Sequence, residues 1–527
     1  MLELVRVLLT DLNRRQVRYC HWKSNASLDQ ALEGIGDLDL LVDPDHAAVL
    51  DTVLAALGFV EALSADGPGD QASRHYVGLD EPSGRLVHLD VYDRLLTGGT
   101  LLKNHHLPLE AMLFASLRCQ DSVPVPGRAA ELVLLVLRKL IESASPLEHV
   151  LLLREYDQVR REVSWLAADA ATRACAAALV RGYLPTVDPR LFELGLAALH
   201  RPGAVVQRFI LGRRLVRCLR AYEVRPRARA VAERRRRFVQ RILRRCGVGP
   251  RGFRLRSGGV IVAFIGPEAS GKSTLVAETS RWLGHLFDVH TIHAGTPPAS
   301  LPTAIPTLLL PLLRSALPRY RTGNIEAEEV PGLAGRGGLG LWFYLVRCVA
   351  LGYDRARLLR RAGRLKNAGT IIVSDRYPTT HLGFVDSMQL DESRLAAARH
   401  TLAARLARVE RDLYASIPPA DLVITCQVPM AMMLRRNAAR QKLGGPEPDD
   451  YVRRRHIQFV QRLPDELQTH LLDTTQSLEE VLCTVRRMVW RALVTHAGLG
   501  PRPQATSVGS SSADCDSGQT PACRPNC

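Results

Sequence analysis

The stretch Gly266-Pro267-Glu268-Ala269-Ser270-Gly271-Lys272-Ser273 meets the pattern G-x-x-x-x-G-K-[ST] at every specified position. Its surroundings agree with it. Val260–Ile265 is an apolar run rich in β-branched residues, as a buried strand requires, and Thr274–Leu283 reads as a helix. A strand, a glycine-bearing loop and a helix in that order make a cradle for phosphate. Glycines let the backbone close around the oxygens, and amide hydrogens and the helix N-terminus face the negative charge. The lysine reaches the β- and γ-phosphates, and the hydroxyl offers an oxygen to Mg2+. Gly266 through Thr274 are therefore candidate ATP-binding residues, with Lys272 as a catalytic candidate and Ser273 as a Mg2+ ligand. The expected fold of this part of the chain is α/β, a parallel sheet with flanking helices.

Downstream, Thr370–Ser374 is a second apolar strand that ends in Asp375-Arg376-Tyr377. A carboxylate at the C-terminal end of a strand sits at the ligand edge of a parallel sheet. Asp375 is thus a candidate Mg2+ ligand, and Arg376 a candidate clamp for an acceptor phosphate. The competing reading is an exposed ion pair that closes the strand. A third strand, Asp421–Val428, leads into a helix carrying Arg435, Arg436 and Arg440, followed by a loop-like Gln441–Tyr451. Arginines on a helix that enters such a loop suit a lid over transferring phosphates, or else a solvated basic face.

With these residues in view, the segment from about 258 to 490 resembles the thymidylate kinase-like branch of the P-loop nucleoside monophosphate kinases. The resemblance rests on the loop with Glu268 at its third position, the Asp-Arg-Tyr motif, Pro419 with Asp421-Leu422-Val423, the arginine helix, and Leu472-Asp473-Thr474-Thr475 before Ser477-Leu478-Glu479-Glu480-Val481. It implies transfer of the γ-phosphoryl group of ATP to a nucleoside monophosphate. Lys272 and Ser273 would bind ATP and Mg2+, Arg376 would contact the acceptor phosphate, Glu268 would lie near the acceptor sugar, and Arg436 or Arg440 would belong to the lid. It also implies a homodimer. Two positions depart from the family pattern. Ala269 stands where a glycine is common, and His293-Ala294-Gly295-Thr296-Pro297 replaces the Arg-Glu-Pro of thymidylate kinases. The second departure argues against thymidylate itself as the acceptor.

Toward the N-terminus, Gly36-Asp37-Leu38-Asp39-Leu40-Leu41-Val42 puts two carboxylates two residues apart on a strand, hence on one face. Leu89-Asp90-Val91, in the strand-like run Leu86–Val91, adds a third, and His46–Gly58 reads as a helix between them. His21-Trp22-Lys23-Ser24-Asn25 reads as a polar turn. Three carboxylates converging on one face could hold two Mg2+ ions. This order resembles the nucleotidyltransferase fold, an α+β unit, with Lys23-Ser24 where Gly-Ser is usual. Asp37, Asp39 and Asp90 would then be catalytic residues and metal ligands. His105-His106 reads as a solvated turn.

The expected organisation is a nucleotidyltransferase-like unit over 1–120, a helical extension over 121–200, an arginine-rich helical linker over 201–257, a P-loop unit over 258–497 and a disordered tail over 498–527. Ala129–Ser143 and Ala167–Arg181 are the helical patterns of the extension. The tail is rich in Ser, Gly, Pro and Thr and cannot bury enough surface to fold.

Lys and Arg number 70 against 53 Asp and Glu, and the whole net charge of +17 is accounted for by Arg201–Arg256, with 19 arginines and two acids. That segment could draw nucleic acid or anionic lipid, though a solvated linker is the favoured reading. Eleven cysteines, an odd count at large spacings without a CxxC pair, do not suggest a disulfide framework or a zinc site; most are expected to be small buried residues. No apolar run reaches the ~18 uncharged residues of a membrane helix. The first residues do not read as a secretory signal, so stable membrane insertion is not expected and a cytoplasmic location is.

Overall fold

The computed structural model describes residues 1–65, 73–146, 149, 154, 156–300, 339–397, 401–439 and 447–499. Arg440 and the tail from residue 500 onward lie outside the described residues. The chain forms a mixed α/β structure with one mainly antiparallel sheet, one parallel sheet and a cluster of helices.

Five strands open the chain: β1 (Tyr19–His21), β2 (Asp37–Val42), β3 (Val60–Leu63), β4 (Arg74–Asp80) and β5 (Arg85–Tyr92). Two hairpins follow, β6 (Leu96–Gly99) with β7 (Leu102–His106), and β8 (Leu117–Gln120) with β9 (Val123–Pro126). A short strand, β10 (Arg254–Leu255), completes a six-stranded sheet of order β1-β2-β5-β4-β3-β10. Only β2 and β5 pair in parallel there. Pleating decides what each face does. Leu38, Leu40 and Val42 of β2 and Val87, Leu89 and Val91 of β5 pack with Leu4, Leu8 and Leu50 of the helices Glu3–Arg14 and Ala47–Ala56. The alternate residues, Asp37, Asp39, His88 and Asp90, therefore share the opposite face.

Helix Arg128–Ser143 is apolar almost all round, so it must be surrounded. Helices Tyr156–Leu166, Ala170–Tyr183, Pro189–His200 and Val205–Cys218 cluster with it. Helix Val205–Cys218 thus packs into this cluster although it lies in the arginine-rich stretch. Its Arg208 is fully buried and donates to the carbonyls of Ala198 (3.1 Å) and Arg201 (2.9 Å), at the negative end of helix Pro189–His200. Helix Arg227–Arg245 is mostly exposed, and its Arg237 is buried on Glu233 and the carbonyl of Leu101.

The parallel sheet contains β11 (Ile261–Ile265), β12 (Val289–His293), β13 (Ile371–Asp375), β14 (Leu422–Gln427) and β15 (Leu471–Asp473), in the order β12-β13-β11-β14-β15. β12 and β13 lie on one side of β11 and β14 and β15 on the other, which makes the C-terminal end of β11 the switch point where such sheets bind ligands. Central β11 is buried on both faces. Val262 and Phe264 face Leu275 and Leu283 of helix Lys272–Gly284 and Val485 of helix Leu478–His496. Ile261, Ala263 and Ile265 face Leu359 and Ala362 of helix Leu339–Asn367.

Two expectations fail. His105-His106 is the end of strand β7, not a solvated turn. His105 is buried where Glu223, far along the chain, pairs with it in an isolated antiparallel bridge, while His106 pairs with Glu110 at 3.0 Å. The described cysteines are not mostly buried either. Among the described residues Cys20, Cys348 and Cys426 are buried, but Cys119, Cys175 and Cys246 are exposed, because they fall on solvent faces. The described cysteines are all free thiols. Among the described residues no single helix is long and apolar enough to cross a membrane.

Candidate functional site

At the end of β11 the chain turns sharply. Gly266 has φ 154° and Gly271 φ 89°, both easy for glycine, and Ala269 between them has φ 58°. A Cβ at Gly266 would meet the Ser270 hydroxyl at 2.8 Å and the Cys426 carbonyl at 2.9 Å, so only glycine fits there. Ala269 is the position where a glycine is common in the family that the sequence resembles. The alanine holds a left-handed turn at a cost of about 1 kcal/mol.

Lys272 is buried at the start of its helix and donates to the carbonyl of Pro267 and to Ser270 Oγ at 3.2 Å. Burial, then Arg376, pushes its ammonium below the usual lysine range, while Glu268 and Asp375 act in the opposite direction. Ser273 Oγ donates to Asp375 Oδ2 at 2.8 Å. The other oxygen, Asp375 Oδ1, is buried without a hydrogen-bond partner. A hydroxyl and a carboxylate side by side, with one oxygen unused, are a donor set that suits Mg2+. The residues present therefore fit the ion that the loop implies.

Arg376 follows Asp375 and adopts φ 71°. It is held between Glu268 and Asp386, the latter at 3.0 Å. Asp386, itself at φ 63°, also accepts from Arg355 at 2.8 Å. Burial works against the Asp386 charge, but Arg355 and Arg376 outweigh it and hold its carboxyl below the usual range. Arg355 further donates to the carbonyls of Ala294 and Gly295, both at 3.0 Å, and to the Tyr414 hydroxyl at 2.8 Å. The backbone strain at Ala269, Arg376 and Asp386 is thus concentrated where the charges meet.

Two clefts meet here. One, of about 510 Å³, is lined by the 268–275 loop and helix start, Asp375, Arg436, Thr474 and Gln476. The other, of about 590 Å³, is lined by Arg347, Arg355, Asp386, Tyr451, Arg455 and Arg462 among others. Glu268, His293 and Arg376 belong to both walls. Arg436 donates to the Thr474 carbonyl at 2.6 Å and so lies against the first cleft. Sequence reasoning singled out Lys272, Ser273, Asp375, Arg376, Glu268 and Arg436, and the fold brings them together. It missed Arg355, Asp386 and Tyr414, which carry no local motif.

No family model and no curated protein matches the chain. Among solved structures it is similar to the thymidylate kinase of Candida albicans, at 15% identity over 46% of this chain and 94% of that one, with a TM-score of 0.27.

The N-terminal carboxylates also meet, since Asp39 and Asp90 are register partners across β2 and β5. Each is already engaged by a basic group. Lys23 Nζ stands 2.6 Å from Asp39 Oδ1, and His88 Nδ1 is 2.6 Å from Asp37 Oδ1. Asp90 is bonded to His75, with His88 Nε2 at 3.2 Å. Burial pushes the Asp39 carboxyl up while Lys23 pulls it down. Two Mg2+ ions need an all-oxygen shell, whereas imidazole and ammonium groups crowd these oxygens. Asp37, Asp39 and Asp90 do not fit a two-Mg2+ centre. His75 and His88 were missed because one is on a strand that the sequence did not single out and neither forms a motif.

Proposed function

We propose that this protein transfers the γ-phosphoryl group of ATP to a phosphorylated acceptor, a nucleoside monophosphate or related phosphate. One observation carries the reading: two clefts share a wall made of Glu268, His293 and Arg376, beside the loop that ends in Lys272 and Ser273. An enzyme that only hydrolyses ATP has no need of the second cleft. ATP with Mg2+ supplies the phosphoryl group and neutralises its charge. Ser273 and Asp375 would hold the ion, and Lys272 would exchange its contacts with Pro267 and Ser270 for phosphate oxygens. Arg376, fixed by Glu268 and Asp386, would orient the acceptor phosphate for in-line attack on the γ-phosphorus, with ADP leaving. Catalysis is then positioning and charge stabilisation by preorganised groups. Nucleotidyl transfer by the N-terminal sheet does not enter this reading, because Lys23, His75 and His88 occupy its carboxylates.

The test is transfer of label from γ-labelled ATP to a panel of nucleoside monophosphates and sugar phosphates. Label should reach one acceptor class, and Lys272→Ala should cut the rate about 100-fold or more. ATP consumed with no labelled acceptor would replace the kinase reading by that of an ATPase.

A second reading, in which the arginine-rich segment attaches the protein to an anionic bilayer surface, has one observation in its favour. Helix Arg227–Arg245 exposes Phe238, Val239, Ile242 and Leu243 among its arginines. A basic helix with an apolar face is the pattern of interfacial binding, whereas phosphate-backbone contacts need no apolar side chains. Cosedimentation with phosphatidylserine vesicles, lost with phosphatidylcholine and lost in Phe238→Ser/Ile242→Ser, is the expected outcome. Binding to RNA with equal salt sensitivity in both proteins would favour a nucleic-acid role instead.

A further inference from the structure

On the inner half of the six-stranded sheet, three side chains that the kinase reading does not use point at one another. His75 (β4) and Asp90 (β5) are register partners, and His88 lies two residues before Asp90, on the same face. One nitrogen of each histidine and one oxygen of Asp90 all lie within 4.8 Å of one another. His88 and Asp90 are more than nine-tenths buried. His88 Nε2, aimed at Asp90 Oδ1 from 3.2 Å, is buried yet makes no aligned hydrogen bond. Nε2 is thus a buried lone nitrogen that faces a carboxylate and a second imidazole.

We propose that His75, His88 and Asp90 bind a divalent transition-metal ion, Zn2+ above all. The chemistry of the donors selects the class: two imidazoles and one carboxylate suit Zn2+ and its neighbours, whereas Mg2+ and Ca2+ take oxygen shells. Ligand atoms around a tetrahedral ion at about 2.1 Å lie about 3.4 Å apart; His88 Nε2 and Asp90 Oδ1, at 3.2 Å, are near that separation, and the ion would replace the hydrogen bond between His75 and Asp90. An outer partner is already in place. His88 Nδ1 is paired with Asp37 Oδ1 at 2.6 Å, which turns Nε2 toward the site. Metal-binding histidines commonly have their second nitrogen held by a carboxylate in this way. Asp37, read from sequence as a metal ligand, becomes the residue that orients one. Lys23 does not oppose the ion directly, because its ammonium is paired with Asp39 and bonded to the Tyr92 hydroxyl at 3.2 Å. The ring of Phe253 lies 4.8 Å from both imidazoles and forms an apolar wall. Phe253 directly precedes β10, so the site lies at the seam where the chain passes from the arginine-rich helix to the parallel sheet.

The proposal is independent of the phosphoryl-transfer reading and is tested on the full-length chain stripped with a chelator. Titration with Co2+ should give a visible ligand-field absorption that saturates at one equivalent, without the thiolate charge-transfer band that the free cysteines would produce. Zn2+ should abolish it. His75→Gln and His88→Gln should lose the signal while near-UV circular dichroism stays that of the parent. Asp37→Asn should weaken binding by about 10- to 100-fold, as loss of an outer-shell partner does, and Ser273→Ala, at the other site, should leave it unchanged. No saturable uptake by the parent, a thiolate-type band, or uptake that survives both histidine variants would each overturn the assignment.

Discussion

Glu410 shows how one residue near the second cleft links stability to pH. It is buried on helix Thr401–Ala415 and accepts hydrogen bonds from the backbone N–H groups of Gln389, at 3.2 Å, and Leu390, at 2.9 Å. Burial pushes its carboxyl up to about 7, a rise that the two N–H bonds and Arg355 limit. The folded form thus binds this proton more tightly than the unfolded chain, where a Glu titrates near ~4.3. Its contribution to stability is complete below that value and is lost as pH rises through about 7. Glu410→Gln, which mimics the protonated form, should therefore gain stability over the parent by about 2–3 kcal/mol at about pH 8 and little at about pH 4. Urea midpoints at the two pH values check this, and an equal gain at both would disprove the assignment. At this scale the sequence is legible only where chemistry follows local order. Lys272, Ser273 and Asp375-Arg376 could be read because a loop or a strand end places them. Asp386 and Arg355 could not, because what sets them in the cleft wall is contact with partners distant along the chain.

Elements were legible where burial imposes a period. The apolar runs over β2, β5, β11, β13 and β14 are strands within a residue or two of their expected limits. His105 escaped because what pairs with it is the distant Glu223, which no local pattern in β7 announces. The arginine count of the 201–256 stretch also misled, since composition does not distinguish Arg208, fully buried on carbonyls, from the exposed arginines of the next helix. Helix Val205–Cys218 is locked to helix Arg128–Ser143 at Gly212. A Cβ there would stand 2.3 Å from the Leu140 carbonyl and 2.9 Å from the Ala144 amide nitrogen. Those are backbone atoms that cannot swing aside. Gly212→Ala should accordingly destabilise the helical cluster by about 1–3 kcal/mol, although alanine favours helix by about 1 kcal/mol. Thermal unfolding followed by far-UV circular dichroism decides the sign, and a raised midpoint would refute the close crossing.

Across the whole molecule, the two sheets share one core. Val60, Ala62, Val77 and Leu79 of the six-stranded sheet cluster with Val262, Phe264, Leu275 and Val485 of the parallel-sheet half. Trp490 joins this core and donates its indole N–H to the Gly58 carbonyl at 3.2 Å; Trp282 does the same to Gly84 at 3.1 Å. Trp490→Ala should cost about 3–5 kcal/mol and loosen both halves together. Hydrogen exchange should then quicken in β3 and β4 as well as in helix Leu478–His496. Quickening confined to the helix would mean that the halves unfold independently.

The sequence by itself determined the local units: the strand, loop and helix around Lys272, the strand that delivers Asp375 and Arg376, and the pairing of Asp37 with Asp39 on one face. Each follows from backbone geometry and periodicity over a few residues. Only the tertiary structure decided that Arg376 is gripped by Glu268 and Asp386, and that His75 and His88 meet Asp90. It alone joined β10 to the N-terminal sheet, placing Phe253 over those histidines. Such contacts arise from strand order and packing between distant segments, and no local pattern in the chain encodes which segments become neighbours.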